Sequence, residues 1–336
     1  MTSSPDPTNI VFVSGVTLGI HALRGMIDTG LLNGDLVKLS AIFTLDETRT
    51  LSTSGYQPFD HIADELTTPL HKVTSMKYAD SIQLVASYAP DLIFVIGWSE
   101  LVPSSVLDIP KHNHRAQERH SNSHGCIGMH PTMLPIGRGR APIPWSIIKG
   151  LKESGVTMFY LEDEADAGDI IAQRRFDITL EDDASSVYDK VSRLHYDIMR
   201  EHFPLLVQGI APRLPQDQTK ATVWQKRTPE DGVINWNKPL IEQHNWIRGL
   251  THPYPGAFFF WKGHKVVVWE ATLGQGQSFA RPGTVLGNSA KEMAVACPDG
   301  IILLQRLQVA DGPELDGTSF AASYGVSSGD LLRTED

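Results

Sequence analysis

A histidine that opens a proline-rich turn is the first place in this sequence where chemistry is written. The stretch Gly125-Cys126-Ile127-Gly128-Met129-His130-Pro131-Thr132-Met133-Leu134-Pro135 sets His130 at the end of an apolar run, and Gly137-Arg138-Gly139-Arg140-Ala141-Pro142-Ile143-Pro144-Trp145 follows it. Beyond Gly155-Val156-Thr157-Met158-Phe159 comes a second loop, Asp163-Glu164-Ala165-Asp166-Ala167-Gly168-Asp169, leading into Ile170-Ile171-Ala172-Gln173. An imidazole can donate a hydrogen bond and shuttle a proton near neutral pH. A carboxylate beside it can orient the ring and organise a water. Arg138 and Arg140 flank Gly139; guanidinium groups suit bidentate phosphate recognition, or a salt bridge that fixes the loop.

Such loops need a rigid frame behind them. Ile10-Val11-Phe12-Val13, Lys38 to Phe43 and Asp91 to Gly97 read as strands, the last a continuous apolar run of the kind buried on both faces of a parallel sheet. Helical stretches at Ile20 to Gly30 and Ser81 to Tyr88 alternate with them, and Ala184 to Gly209 reads as a long closing helix. The alternation predicts an α/β domain over residues 1–209 with a mostly parallel sheet, whose ligands bind beyond the carboxyl ends of the strands. Residues 210–222, with Pro212 and Pro215, read as a linker. Residues 223–336 have another texture: a helix at Lys238 to Gly249, then short strands at Ala257 to Trp261, Lys265 to Trp269, Met293 to Cys297 and Gly300 to Leu307 between Gly and Pro turns. Closely spaced strands predict a small β-barrel.

The three elements His-Pro-Thr-x-Leu-Pro, Arg-Gly-x-x-Pro and Asp-x-Gly-x-Ile, in this order and at this separation, resemble the folate-dependent formyltransferase family of methionyl-tRNA, glycinamide-ribonucleotide and amino-sugar enzymes. The resemblance covers nearly the whole chain. Lys226-Arg227-Thr228-Pro229-Glu230-Asp231-Gly232-Val233-Ile234-Asn235-Trp236 and Arg248-Gly249-Leu250-Thr251-His252-Pro253-Tyr254-Pro255-Gly256-Ala257 are similar to the module that follows the catalytic domain, in wording nearer the amino-sugar branch. It implies a Rossmann-like formyltransferase fold followed by an OB-like barrel, 10-formyltetrahydrofolate as cosubstrate and no metal. An amine attacking the formyl carbon creates an oxyanion, and a proton must travel from the amine to the departing folate nitrogen. The resemblance assigns these tasks to His130 and Asp166. A lone His in this setting would sooner be a core residue satisfied by a carbonyl; the Pro-rich loop and Asp166 on a second loop favour catalysis. Asp169 reads as a turn carboxylate.

One position departs from the family. An Asn usually stands two residues before the His, and here it is Gly128. Losing one oxyanion donor costs about 10²–10³ in rate when nothing replaces it. A backbone amide or protonated His130, a polar residue such as Asn113 or Asn122, or altered activity would each account for the change; amino-sugar members reading Ile-Gly-x-His-Pro favour retained activity. Folate is expected against Gly97, Trp98, Leu101 and Val102 and against Leu161, Glu162 and Asp163, with simple packing an equal reading for Trp98. Thr132, Arg138 and Arg140 are expected beside the acceptor, and Ser14 and Gly15 on its border. Gly15 and Gly19 have the wrong spacing for a dinucleotide fingerprint. Residues 111–124 resemble an insertion, and His112, His114, His120 and His124 in it read as a solvated loop before a metal site.

The formal charge of −10 over 336 residues argues against a nucleic-acid partner, which needs clustered Lys and Arg. Composition, 41% hydrophobic and 20% charged, is that of a soluble protein, with no span of membrane length and no signal-peptide layout at Met1 to Asn9, so a cytoplasmic location is expected. Cys126 and Cys297 read as buried thiols. The expected partner is a small amine, foremost an amino-sugar nucleotide, and the aromatic residues 258–261 and 269 allow a homodimer surface. The alternatives are methionyl-tRNA formyltransferase, a transferase for an amino acid or hydroxylated ornithine, a hydrolase releasing formate, and a non-catalytic folate-binding protein.

Overall fold

The computed structural model describes residues 7–112, 124–310 and 312–335. Contacts divide the chain into two units: Met1–Pro142, Glu153–Phe176 and Asp189–Gln225 in the first, and Ile143–Lys152, Asp177–Tyr188 and Lys226–Asp336 in the second. The expected domains were contiguous in sequence; these units are not, because residues 143–152 and 177–188 cluster with the C-terminal residues.

In the first unit, strands β1 (Thr8–Val13), β2 (Val37–Leu45), β3 (Leu70–Val73), β4 (Leu92–Ile96), β5 (Gly125–His130), β7 (Glu153–Tyr160) and β8 (Ile170–Asp177) make one sheet in the order β3-β2-β1-β4-β5-β7-β8. The β1–β2, β1–β4, β2–β3 and β4–β5 pairs are parallel, while β5–β7 is antiparallel. The mostly parallel α/β sheet is therefore observed. Ile10 to Val13 and Leu92 to Ile96 are buried throughout, which explains their unbroken apolar runs. The strand order reverses between β1 and β4, so the crevice beyond their carboxyl ends is the switch point of the sheet. Gly97 follows β4 with φ +65, and a Cβ there would lie 2.3 Å from Val16 Cγ2 on the loop after β1. Only glycine lets these loops meet.

The helix Ala184–Val207 backs the sheet, with the Phe203 ring edge-on to Phe94 at 5.9 Å. The helix Thr17–Ile27 crosses it closely at Gly25, where a Cβ would sit 2.5 Å from the Tyr196 carbonyl oxygen. Residues 210–222, expected as a linker, instead form a strap on the first unit. Leu214 and Ile170 exchange backbone hydrogen bonds of 2.8 and 3.0 Å, and the Arg138 N–H donates to the Thr222 carbonyl at 2.9 Å. The strap ends in β9 (Val223–Trp224), which pairs in parallel with β6 (Arg138–Gly139).

In the second unit, β10 (Ala257–Trp261), β11 (His264–Leu273), β12 (Val285–Ser289), β13 (Glu292–Cys297) and β14 (Gly300–Val309) pair antiparallel in the order β10-β11-β14-β13-β12. Residues near the C-terminus bridge the two free edges. Arg333 pairs with Phe260 on β10, and Leu331 pairs with Thr284 just before β12. The path is thus closed into a small barrel around a core that includes Phe259, Val268, Val295 and Leu304. The helices Leu240–Leu250 and Gly317–Tyr324 bury Ile247 and Phe320 in that core.

Phe203→Ala should empty the space against Phe94 and cost about 3–5 kcal/mol in the stability of the first unit. Denaturant unfolding of the variant checks this, and a cost near zero would contradict the packing described.

Candidate active site

Strand β5 carries Cys126, Gly128 and His130 on one face, since side chains alternate along a strand. From Cys126 to His130 that face runs about 13 Å at about 3.3 Å per residue. His130 ends the strand and is only 7% exposed. Its Nε2 lies 2.8 Å from the Gly137 carbonyl oxygen. A carbonyl only accepts, so Nε2 carries the hydrogen and donates it. Nδ1 then faces the Asp166 Oδ2 at 3.7 Å. Asp166 has φ +54, a left-handed backbone that brings its side chain back toward His130. The same Oδ2 accepts the Gly139 N–H at 2.8 Å. Asp169 does something else: its carbonyl accepts the Tyr160 N–H and closes the β7–β8 connection.

The Pro-rich turn is held from below. Thr132 donates its N–H to the His130 carbonyl at 2.9 Å, and its own carbonyl accepts the Thr157 hydroxyl at 2.7 Å. Gln173 donates to the Leu134 carbonyl and to Thr157 Oγ1 at 2.7 and 2.9 Å. The Thr132 hydroxyl is buried with no partner among the described residues.

Arg138 is buried to 3% exposure and its guanidinium is committed inward. Gln216 Oε1 accepts from Nη2 at 2.8 Å and from Nε at 3.2 Å, Gln218 Oε1 accepts at 2.9 Å, and Glu164 lies at 3.4 Å. Of the two readings open for Arg138, the contacts favour the loop anchor, since each of its guanidinium nitrogens has an acceptor on the protein. Arg140 is exposed, with no side-chain partner among the described residues. Ser14 and Gly15, expected on the acceptor's border, are buried; the Ser14 hydroxyl accepts the Val16 N–H at 3.4 Å, and Gly15 packs under Leu45.

A cavity of about 560 Å³ opens where Cys126 begins the face. Leu107, Cys126 and Leu161 give it apolar walls, Lys111 and Arg213 give it cations, and His124 adds an imidazole. Glu162 and Asp163 also line it, whereas Gly97, Trp98, Leu101 and Val102 are not among its described walls. Trp98 and Val102 pack against the hydrophobic cluster beneath, and Leu101 is exposed. The loop is tied in place by the Ser104 hydroxyl, which donates to Asp163 at 2.6 Å, and by the Leu161 N–H, which donates to the Cys126 carbonyl at 2.8 Å. Burial pushes the Cys126 thiol up to about 12 and lowers His124, where Arg213 adds to the effect. Arg213 stacks over the Tyr160 ring at 3.5 Å, and its Nε and the His124 Nδ1 are buried without partners among the described residues.

Leu161 lies against Gly128: a Cβ at position 128 would lie 2.6 Å from Leu161 Cδ2 and 3.2 Å from Phe159 Cε1. The leucine side chain fills the volume that a side chain at 128 would need. Asn113, Asn122, His114 and His120 lie outside the described residues. Among those described, no group of three His, Cys, Asp or Glu is placed to hold a metal ion, and no helix is long and apolar enough to cross a membrane. The sequence reading missed Arg213, Tyr160 and Gln216. The Pro-flanked Ala211-Pro212-Arg213-Leu214-Pro215-Gln216 carries no periodicity that would have marked it.

Comparison with known proteins bears on the whole arrangement. The sequence profile described as Formyl transferase matches residues 10–202, and that described as Formyl transferase, C-terminal domain matches residues 226–325. HypX from Aquifex aeolicus, solved in complex with tetrahydrofolic acid, superposes with a TM-score of 0.64 at 17% identity, over 94% of this chain and 47% of its own. This chain thus spans about half the length of HypX. WlaRD, a sugar 3N-formyl transferase solved in the presence of dTDP and 5-N-formyl-THF, gives a TM-score of 0.63 at 15% identity, over 91% of this chain and 99% of that one. An N-formyltransferase from Helicobacter canadensis, solved with folinic acid and dTDP-3-aminofucose, gives 0.59 at 14% identity, over 90% and 100%. At these identities the likeness is one of fold.

Two outcomes are expected. Gly128→Asn should lower the melting temperature through its collision with Leu161, and Leu161→Ala in the same chain should relieve part of the loss; an Asn tolerated beside an intact Leu161 would contradict the packing. Burial holds the Cys126 and Cys297 thiols up to about 12, so both should stay protonated and resist iodoacetamide at pH 8 in the folded protein, as mass spectrometry would show. Rapid native alkylation of either would contradict their burial.

Proposed function

Because the chain belongs to the formyl transferase family through both of its domains, we propose that it moves the formyl group of 10-formyltetrahydrofolate onto a primary amine carried by a sugar nucleotide. The observation that carries this reading is the pairing of His130 and Asp166 across two loops, on the same strand face as a cavity of about 560 Å³. A volume of about 560 Å³ lies within the usual range for small-molecule sites. Leu107, Cys126 and Leu161 would lie against the faces of a pterin, and the tied loop at Glu162 and Asp163 would border its polar edge.

When bound, 10-formyltetrahydrofolate supplies the electrophilic formyl carbon. His130 has Nε2 committed to Gly137, so Nδ1 is the atom that takes and returns a proton. Asp166 holds the ring in that orientation and stabilises the charged imidazolium. With glycine at 128 no side-chain amide projects from that position; once Nδ1 has taken the amine's proton, the resulting Nδ1–H is the donor we assign to the oxyanion, before that proton passes to the departing folate nitrogen. Leu161, lying over Gly128, excludes water from the strand face between cavity and histidine. Arg140, exposed on the turn after His130, is the cation we assign to an acceptor phosphate.

The sugar-nucleotide acceptor is favoured by the Arg-Thr-Pro-Glu-Asp-Gly wording of residues 227–232 and by the sugar N-formyltransferases among the folds it matches. A net charge of −10 speaks against tRNA. The test is release of tetrahydrofolate from 10-formyltetrahydrofolate with a panel of amines: amino-sugar nucleotides such as dTDP-3-aminofucose, methionyl-tRNA, and ornithine derivatives. Turnover with a sugar nucleotide is expected. His130→Ala and Asp166→Asn should each lower kcat/KM by about 10²–10⁴, and Asp169→Asn by less than about 10-fold. Formate release that needs no amine would replace this reading with a hydrolase, and preference for methionyl-tRNA would overturn the acceptor.

A further inference from the structure

One side chain outside both catalytic loops touches both of them. Gln216, on the strap that follows the long helix, is 7% exposed. Its Nε2 donates to the Asp166 carbonyl and to the Gly168 carbonyl, each at 2.8 Å. Its Oε1 accepts from Arg138 Nε and Nη2 at 3.2 and 2.8 Å. Two donors and two lone pairs exhaust what a primary amide offers, so every hydrogen-bonding valence of this buried group is spent on the loops that carry His130 and Asp166.

The site needs such a grip. Asp166 has φ +54, which a non-glycine residue holds only when its surroundings fix it. Gly168 lies so close to the neighbouring strand that a Cβ there would sit 2.0 Å from the Tyr160 carbonyl oxygen. Between these two constrained residues the carbonyls converge on one amide nitrogen. Arg138, on the opposite loop, is a buried cation whose closest acceptor is the oxygen of the same amide. A second hydrogen bond across the loops, from the Gly139 N–H to Asp166 Oδ2, places the carboxylate without touching the Asp166 backbone.

We propose that Gln216 is the positioning residue of the catalytic carboxylate: it holds Asp166 in its left-handed turn, in register with Arg138 and hence with the loop that Asp166 must meet. The proposal rests on the reading of Asp166 as catalytic. Gln216 itself touches neither reactant. Its own neighbours in sequence work on the same two loops: Leu214 pairs with Ile170, Gln218 accepts from Arg138, and Thr222 accepts from Arg138 N–H and, through its hydroxyl, from Gly137 N–H. The strap is therefore the clamp, and Gln216 is its contact with the carboxylate.

Two replacements separate this role from simple packing. Gln216→Leu removes both halves of the grip. Gln216→Glu keeps the shape and strengthens acceptance from Arg138, but sets an acceptor against the two carbonyls. Both variants should lose kcat by about 10²-fold, the usual cost of a small misplacement, with KM for 10-formyltetrahydrofolate unchanged. In an Asp166→Asn background neither should add a further loss, because both act through Asp166. Hydrogen exchange at the Gly139 amide gives a readout that needs no acceptor: it should quicken about 10-fold or more in both variants as Asp166 Oδ2 leaves it. Full kcat or an unchanged Gly139 amide in Gln216→Glu would show that Gln216 serves Arg138 alone and would overturn the proposal. Asp166→Asn with full kcat would fail the catalytic reading by itself, whatever Gln216 does.

Discussion

A guanidinium taken almost wholly out of water must be given acceptors, and meeting that demand for Arg138 organises the rest of the site. The acceptors do not come from its own loop. Two are side-chain carbonyls of the strap, Gln216 and Gln218, and a third is Glu164 at the rim of the opposite loop. Satisfying Arg138 therefore draws three separated segments together: the turn after β5, the turn after β7 and the strap after the long helix. Once drawn together, they leave Asp166 Oδ2 on the Gly139 amide and opposite His130. The His130–Asp166 pair to which we assign catalysis thus sits beside a buried structural cation.

The second constraint is apolar. With glycine at 128, the leucine at 161 lies down on the strand, and its side chain is shared between the cavity wall and the middle of the β5 face. His130 stands at one end of the face, and the cavity with Cys126 and Leu161 in its wall opens at the other.

Much of this was legible in the sequence because it is local. His130 and its turn, the Asp166 loop, the buried strands β1 and β4 and the barrel strand Ala257–Trp261 are each announced by neighbouring residues, through an apolar run or a Gly and Pro pattern. What was not legible depends on residues far apart. The strap read as a linker because prolines and polar residues carry no periodicity, yet its backbone is bonded to Ile170 and to the turn after His130. Arg138 read as either a phosphate ligand or a loop-fixing cation, because nothing near it in sequence shows Gln216 and Gln218. Ser14 read as bordering the acceptor because burial of the loop after β1 depends on Leu45, Phe59 and Val16 closing over it. The noncontiguous units have the same origin: short segments near 143–152 and 177–188 change allegiance without a break in composition.

In the proposed arrangement the folate ring lies at Cys126 and its reacting end at His130, along one face of one strand. The most direct measurement is a crystal structure of the protein with 5-formyltetrahydrofolate, a stable analogue of the donor. The account predicts the pterin ring in the cavity between Leu107, Cys126 and Leu161, with the N10 side of the molecule directed along β5 toward His130 Nδ1. A folate found elsewhere on the chain, or with its ring at His130 and its tail in the cavity, would contradict it.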